Sequence, residues 1–363
     1  MSCGCSERWT SPAPLDRRQA LMALAALAAA GCATIKPEHN EAALRLAEES
    51  TSVDLHSHPG MFPSSPLTME GHLARMEKGR VRASLWATTA DGPLMGRRPQ
   101  GGLYARREPN PGELYAYVYR TLEPVRARAA SGKLVLIQSP ADLDTARARG
   151  KPGAILTIEG GDFLEGRIER VQEAYDRGVR SVQLTHYRVN ELGDIQTEPP
   201  VHGGLTPFGL DVLREMNRLG MVVDIAHLTL AGVRQAVEVT RKPLLLSHTV
   251  LQTNFARSIS AEHARLVAKT GGVIGIFPVN SGGYYGFSGY VEHIIRMIKV
   301  VGVDHVGIGT DMDGISPPSF VAWTDYSEWP SLAAALLAQG YSREDVAKLL
   351  GGNFLRVYRA SAV

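Results

Sequence analysis

His56 and His58 stand one residue apart at the end of the apolar run Ser52-Val-Asp-Leu-His-Ser-His58. Side chains two apart on a strand point the same way. Both imidazoles can therefore reach one ion at roughly 2.0–2.1 Å. Similar runs end in Glu159-Gly160-Gly161, Thr185-His186, Asp224-Ile-Ala-His227, Ser247-His248 and Gly309-Thr310-Asp311. Taken singly, each has an ordinary explanation as a hydrogen-bonded structural residue. Five histidines, one Glu and one Asp at the same place in six runs are hard to attribute to chance. Nitrogen and carboxylate donors without sulfur favour zinc, with manganese, cobalt or iron as alternatives.

Sulfur is absent for a simple reason. Of 363 residues only three are cysteine, and Cys3, Cys5 and Cys32 all precede residue 33. The remainder has no disulfide core, no Cys nucleophile and no thiolate site, so any ion must be held by His, Asp and Glu. A composition of 44% hydrophobic and 21% charged residues fits a globular protein. With 39 Lys+Arg against 37 Asp+Glu there is no basic field for nucleic acid.

The runs that carry these residues read as strands at 51–56, 81–88, 154–159, 181–186, 221–227, 243–248, 272–277 and 305–310. Helix-sized segments separate most of them. The clearest is 207–219, with Thr206 to cap it, Pro207 at its first position and Gly220 to stop it. Eight apolar strands alternating with helices predict an α/β protein, either a (β/α)8 TIM barrel or a doubly wound open sheet. In a barrel the strand ends converge on one face; in an open sheet they are strung along an edge. The barrel is therefore expected, with the site on its C-terminal face.

The other six histidines read as structural. His39 lies in a tether, His72, His263 and His293 in helices, His202 in a Pro/Gly loop and His305 at the far end of the eighth strand. There is no Gly-x-Ser-x-Gly elbow, Walker loop or His-Glu-x-x-His helix. Tyr187, Arg188 and Arg257 are candidates for substrate recognition.

The N-terminus reads as an address. Arg17-Arg18 precede the apolar run Leu21–Ala30, too short for the roughly 20 residues of a spanning helix. Ala29-Ala30-Gly31-Cys32 is similar to a lipoprotein box, although Leu is usual where Ala29 sits. The expected organisation is a twin-arginine and lipoprotein-type signal at 1–31, a tether at 32–49 and one catalytic domain at 50–363. Cys32 would carry the lipid, leaving an exported, membrane-anchored protein.

In this order and spacing the motifs resemble the membrane dipeptidase (renal dipeptidase) family, zinc peptidases of the amidohydrolase superfamily built on a (β/α)8 barrel. The likeness runs over residues 50 to 358. Besides the runs above it rests on Gly204-Leu-Thr-Pro-Phe-Gly209, Gly307-Ile-Gly-Thr-Asp311-Met-Asp313-Gly314 and Gly352-Asn-Phe-Leu355. The resemblance implies a first zinc on His56, His58 and Glu159, with Glu159 bridging to a second zinc on His227 and His248. It implies Asp311 as the catalytic carboxylate and His186 as the contact to the scissile carbonyl. Arg257 would grip the substrate's terminal carboxylate.

Two departures stand out. His58 replaces the family's usual Asp, removing one negative charge from the first ion's shell and restoring the His-x-His of the wider superfamily. The stretch from Ser247-His248 to Arg257 is about two residues shorter than usual. The expected activity is hydrolysis of dipeptides by a hydroxide bridging two zinc ions, with no nucleic-acid partner and contact with membrane through the anchor alone. A homodimer is suggested by the resemblance only. The alternatives are another metal hydrolase on the same scaffold, acting on a different amide, a lactone or a phosphoester, and a non-catalytic surface lipoprotein. Retention of every expected ligand together with Asp311 argues against the last.

Overall fold

Apolar runs that present no polar face to water pair into a parallel sheet covered on both sides. A computed structural model shows how, describing residues 37–363 apart from 64, 66, 100, 315–324 and 363. The expected signal and the lipidation site at Cys32 lie outside the described residues. The strands are β1 (Ser52–Ser57), β2 (Val81–Thr89), β3 (Met95–Arg97), β4 (Leu103–Ala105), β5 (Val135–Leu136) and β6 (Gly153–Glu159). They continue with β7 (Val179–Gln183), β8 (Val222–Asp224), β9 (Leu245–Thr249), β10 (Val273–Ile276) and β11 (Val306–Ile308).

Eight of them pair in the order β1-β2-β6-β7-β8-β9-β10-β11, each parallel to its neighbour. The ring is drawn together at its C-terminal edge by Asp311 N–H to His56 O (2.9 Å) and His58 N–H to Met312 O (2.8 Å). This is the expected α/β barrel, with all eight strands in place. The additions are the antiparallel hairpin β3–β4 and the two-residue β5 beside β6. Segments this short hold too few residues for a period of two to show.

Val53, Leu55, Leu85, Ile155, Val222, Leu245 and Val273 form one core cluster with Phe354, Val357 and Tyr358 of the C-terminal helix. The helix Pro207–Leu219 starts and stops as its sequence dictates. Thr206 accepts from Gly209 N–H, and Gly220 is left-handed at φ 76°. Within the span read as a tether, Pro37–Glu49 form a helix that buries Ala43, Leu46 and Ala47 and packs on the helix Trp329–Ala338.

Close strand packing at β9 depends on two glycines. A Cβ on Gly275 or on Gly309 would fall inside the van der Waals shell of the Ser247 carbonyl oxygen. Gly309→Ala must therefore displace the backbone next to His248. The expected loss is about 1–3 kcal/mol of stability, read from the denaturant midpoint.

Candidate metal centre

Several strands end earlier than their apolar runs, so the chemistry-bearing residues stand just beyond them. His186, His227 and Asp311 follow the last residues of β7, β8 and β11 by three residues each. His227 and Asp311 take left-handed backbone conformations, φ 67° and 49°. Non-glycine residues hold such conformations at a cost of about 1–3 kcal/mol, and the surrounding structure must impose them. At Asp311 the imposing group is Asp54. Its carboxylate is fully buried and accepts from Thr310 N–H (2.8 Å), Thr310 Oγ1 (2.6 Å) and Tyr326 OH (2.7 Å). Burial pushes the Asp54 carboxyl up to about 6 despite these donors.

The structure brings His56, His58, Glu159, His186, His227, His248 and Asp311 into one buried cluster. His56 Nε2 lies 3.2 Å from His58 Nε2 and 3.3 Å from Glu159 Oε1, and His58 Nε2 lies 3.3 Å from Glu159 Oε2. On the other side, His227 Nε2 is 3.2 Å from His248 Nε2 and 3.4 Å from Glu159 Oε1. Asp311 Oδ1 approaches His58 Nε2 to 3.4 Å, and His186 Nε2 approaches Glu159 Oε1 to 3.5 Å. Donors about 2.0–2.1 Å from a tetrahedral ion stand about 3.3–3.4 Å apart. The two imidazole pairs and three of their four contacts with Glu159 have about that spacing, 3.2–3.4 Å, while His248 Nε2 stands 3.7 Å from Glu159 Oε1.

A second observation fits a cation. Glu159 Oε2 is buried with no hydrogen-bond donor among the described residues. A desolvated carboxylate oxygen is costly unless a positive charge faces it. Around it, burial works to neutralise His58, but Asp311 and Glu159 more than offset this and raise its imidazole to about 10. Burial, with Arg257 adding to it, keeps His227 and His248 well below the usual histidine range. Their neutral rings are the form that ligates metal. His58 Nδ1 faces Ala87 O at 2.7 Å, so that nitrogen carries a proton in either charge state, and Nε2 would give up its own proton on ligating a cation.

His186 belongs to the same cluster but is held differently. Its Nδ1 lies 2.7 Å from Asp91 Oδ1, and Tyr187 N–H donates to Asp91 Oδ2 at 3.1 Å. Burial lowers the His186 imidazole, yet Asp91 and Glu159 leave it raised overall. Arg257 is buried in the centre. One guanidinium nitrogen donates to Gln196 Oε1, and the other lies 3.2 Å from His248 Nε2. The shortened stretch before Arg257 therefore still delivers it to the site. Arg188, by contrast, is tied to Asp162 and Glu108.

Asp91 and Gln196 were not singled out from the sequence, and Asp54 was read only as part of the run that ends in His56 and His58, with no role of its own. Asp91 follows β2 by two residues, just past a strand end like several of the others, and could have been found by that rule. Gln196 lies in a long loop with no such signal. His72 is structural as expected, and it also bonds Asp313 Oδ2 (2.9 Å) in the loop that carries Asp311. His202 is exposed, and His305 bonds Gly272 O, away from the cluster.

A nearly closed ring of eight parallel strands with His-x-His at β1, a carboxylate at β6, histidines after β8 and in β9 and an Asp after β11 is a (β/α)8 barrel with a candidate metal centre at its C-terminal edge. The sequence matches the membrane dipeptidase family (Peptidase family M19) over residues 37–363, and the chain belongs to it. Dipeptidase aclJ of Aspergillus oryzae is 30% identical over 302 residues, 78% of this chain and 68% of its own. The probable dipeptidase PvdM of Pseudomonas aeruginosa shares the fold at TM-score 0.75 and 20% identity, covering 90% of this chain and 99% of PvdM. A Rhodobacter sphaeroides metallo peptidase liganded with a phosphinate mimic of L-Ala-D-Ala does so at TM-score 0.73 and 19% identity, covering 86% and 99%.

Proposed function

We propose that this protein is a zinc dipeptidase that holds two ions and hydrolyses the peptide bond of dipeptides with a free C-terminus. The observation that carries the reading is the carboxylate of Glu159 between two imidazole pairs at ligand spacing. When bound, the ions would supply a water of lowered pKa and polarise the scissile carbonyl. His56, His58 and Glu159 would hold one, and Glu159, His227 and His248 the other.

The remaining residues divide the work. Arg257, whose charge is presented in a buried site, binds the terminal carboxylate of the substrate. His186 donates from Nε2 to the carbonyl oxygen as negative charge develops there, while its Nδ1–H stays on Asp91. Asp311, the most exposed of the cluster at 15%, takes the proton from the attacking water and returns it to the leaving amine. The twin-arginine and Cys32 features support an exported, lipid-anchored enzyme, with the substrate met outside the cytoplasm.

Zinc-loaded protein should cleave members of an L,L- and L,D-dipeptide panel, lose that activity on chelation, and cleave C-terminally amidated dipeptides poorly. Two bound ions with no cleavage of any dipeptide would point instead to a different hydrolase substrate. Asp91→Asn keeps an acceptor for His186 but loses its charge, and charge-assisted hydrogen bonds are roughly twice as strong as neutral ones. The expected result is a fall of about 10-fold in kcat with KM little changed, since a barrier rise of about 1.4 kcal/mol gives that factor. An unchanged kcat would remove Asp91 from the mechanism.

A further inference from the structure

Behind the ligand nitrogens, one hydroxyl stands between the two halves of the site. His56 and His248 stack with ring centroids 4.1 Å apart and 29° between planes. Their Nδ1 atoms both face Ser247 Oγ, at 3.5 Å for His56 and 3.0 Å for His248. Ser247 is itself fixed: its N–H donates to Asp224 Oδ1 at 3.1 Å, and its carbonyl is hemmed in by Gly275 and Gly309. Asp224 is fully buried, and burial raises its carboxyl while hydrogen bonds, including one from the Ser247 side chain, act to lower it.

The proton count closes around this hydroxyl. An imidazole that ligates through Nε2 carries its proton on Nδ1, so His56 and His248 each present one donor. A serine hydroxyl has two acceptor lone pairs and one proton. It can accept from both rings and keeps one proton to donate, for which Asp224 Oδ2, buried with no hydrogen-bond partner among the described residues, is left as the acceptor. His56 belongs to the first ion's set and His248 to the second's. We propose that Ser247 is a positioning residue that orients one ligand of each ion at once, so that neither ion is held at full strength without its hydroxyl. The proposal rests on the two-ion reading above.

The test is zinc affinity, measured on the stripped full chain by titration against a competing chelating indicator, with bound metal counted at saturation. Loss of an outer partner of a metal-ligating histidine typically costs 10–100-fold in affinity. Ser247→Ala is expected to weaken both ions by about that factor. Ser181→Ala is the control, because Ser181 is equally buried but bonds Val222 O and no ligand. It should bind both ions as the wild type does, with a comparable change in the melting temperature of the stripped protein. Weakening of one ion alone, or of neither, would overturn the proposal.

Should Ser247→Ala not fold, Asp224→Asn carries the same test. Oδ1 is occupied by two backbone donors, Ala226 N–H and Ser247 N–H, so the new amide group must face Ser247 Oγ. The serine proton then turns onto a histidine and displaces an Nδ1–H. Reduced zinc affinity is expected, and wild-type affinity for both ions would overturn the idea. Fewer than two ions on the wild type would sink the two-ion reading itself, and this proposal with it.

Discussion

Asp311→Asn should cut kcat by on the order of 10²–10⁴-fold, the usual contribution of a positioned general base and acid, while leaving the metal content intact. Asparagine keeps the shape and the left-handed backbone, which Asn tolerates better than most residues. It cannot take a proton from water at neutral pH. Its placement is secured independently of its charge, by Asp311 N–H to His56 O and by the bonds of Asp54 to Thr310. Measuring kcat together with metal per chain separates two roles. Full activity would show that the proton moves elsewhere. Loss of an ion along with activity would make Asp311 chiefly a ligand, as its 3.4 Å approach to His58 Nε2 also allows.

The residues that could be read in advance share a physical property: they sit at or just past the C-terminal ends of strongly apolar strands. Burial on both faces makes those strands visible as runs, and barrel geometry gathers whatever follows them. His56, His58, Glu159, His186, His227, His248 and Asp311 were legible on that ground. Arg257 lies in a loop eight residues past β9, so the sequence offered it only as one loop candidate among several, and the family resemblance alone gave it a role. Gln196 and Asp91 act on residues far away in sequence, 61 and 95 positions from Arg257 and His186 respectively. No local pattern encodes such partners; they exist only once the loops are folded over the barrel mouth. The hairpin β3–β4 escaped for the opposite reason, being local but too short to show a period.

His58 gives the site an unusual charge balance that makes Glu159 the more consequential carboxylate. With an imidazole where the family has Asp, the cluster contains only two carboxylates, Glu159 and Asp311. Of these Glu159 is buried and faces both sides, while Asp311 is at the rim. Two divalent ions would bring four positive charges to a place that water screens poorly. The protein's own compensation is therefore thin, and concentrated in one side chain.

Glu159→Gln removes that compensation without changing volume. The oxygen near His56 and His227 is kept or exchanged for an amide, but the charge shared by both sides is gone. Affinity for zinc should fall by more than the ~10–100-fold seen when an outer partner is lost, and metal per chain after dialysis should drop from about two to below one. Thermal unfolding offers a reading that does not depend on activity. Ligand binding stabilises the native state by RT ln(1 + [L]/Kd), about 2.7 kcal/mol at a hundredfold excess over Kd. A hundredfold weaker site at the same zinc concentration would forfeit most of that increment. The melting temperature of Glu159→Gln should thus respond little to zinc, whereas that of the wild type should rise. A variant that kept both ions and the full zinc-dependent rise would mean that Glu159 does not bridge them, and the grouping of ligands around it would have to be redrawn.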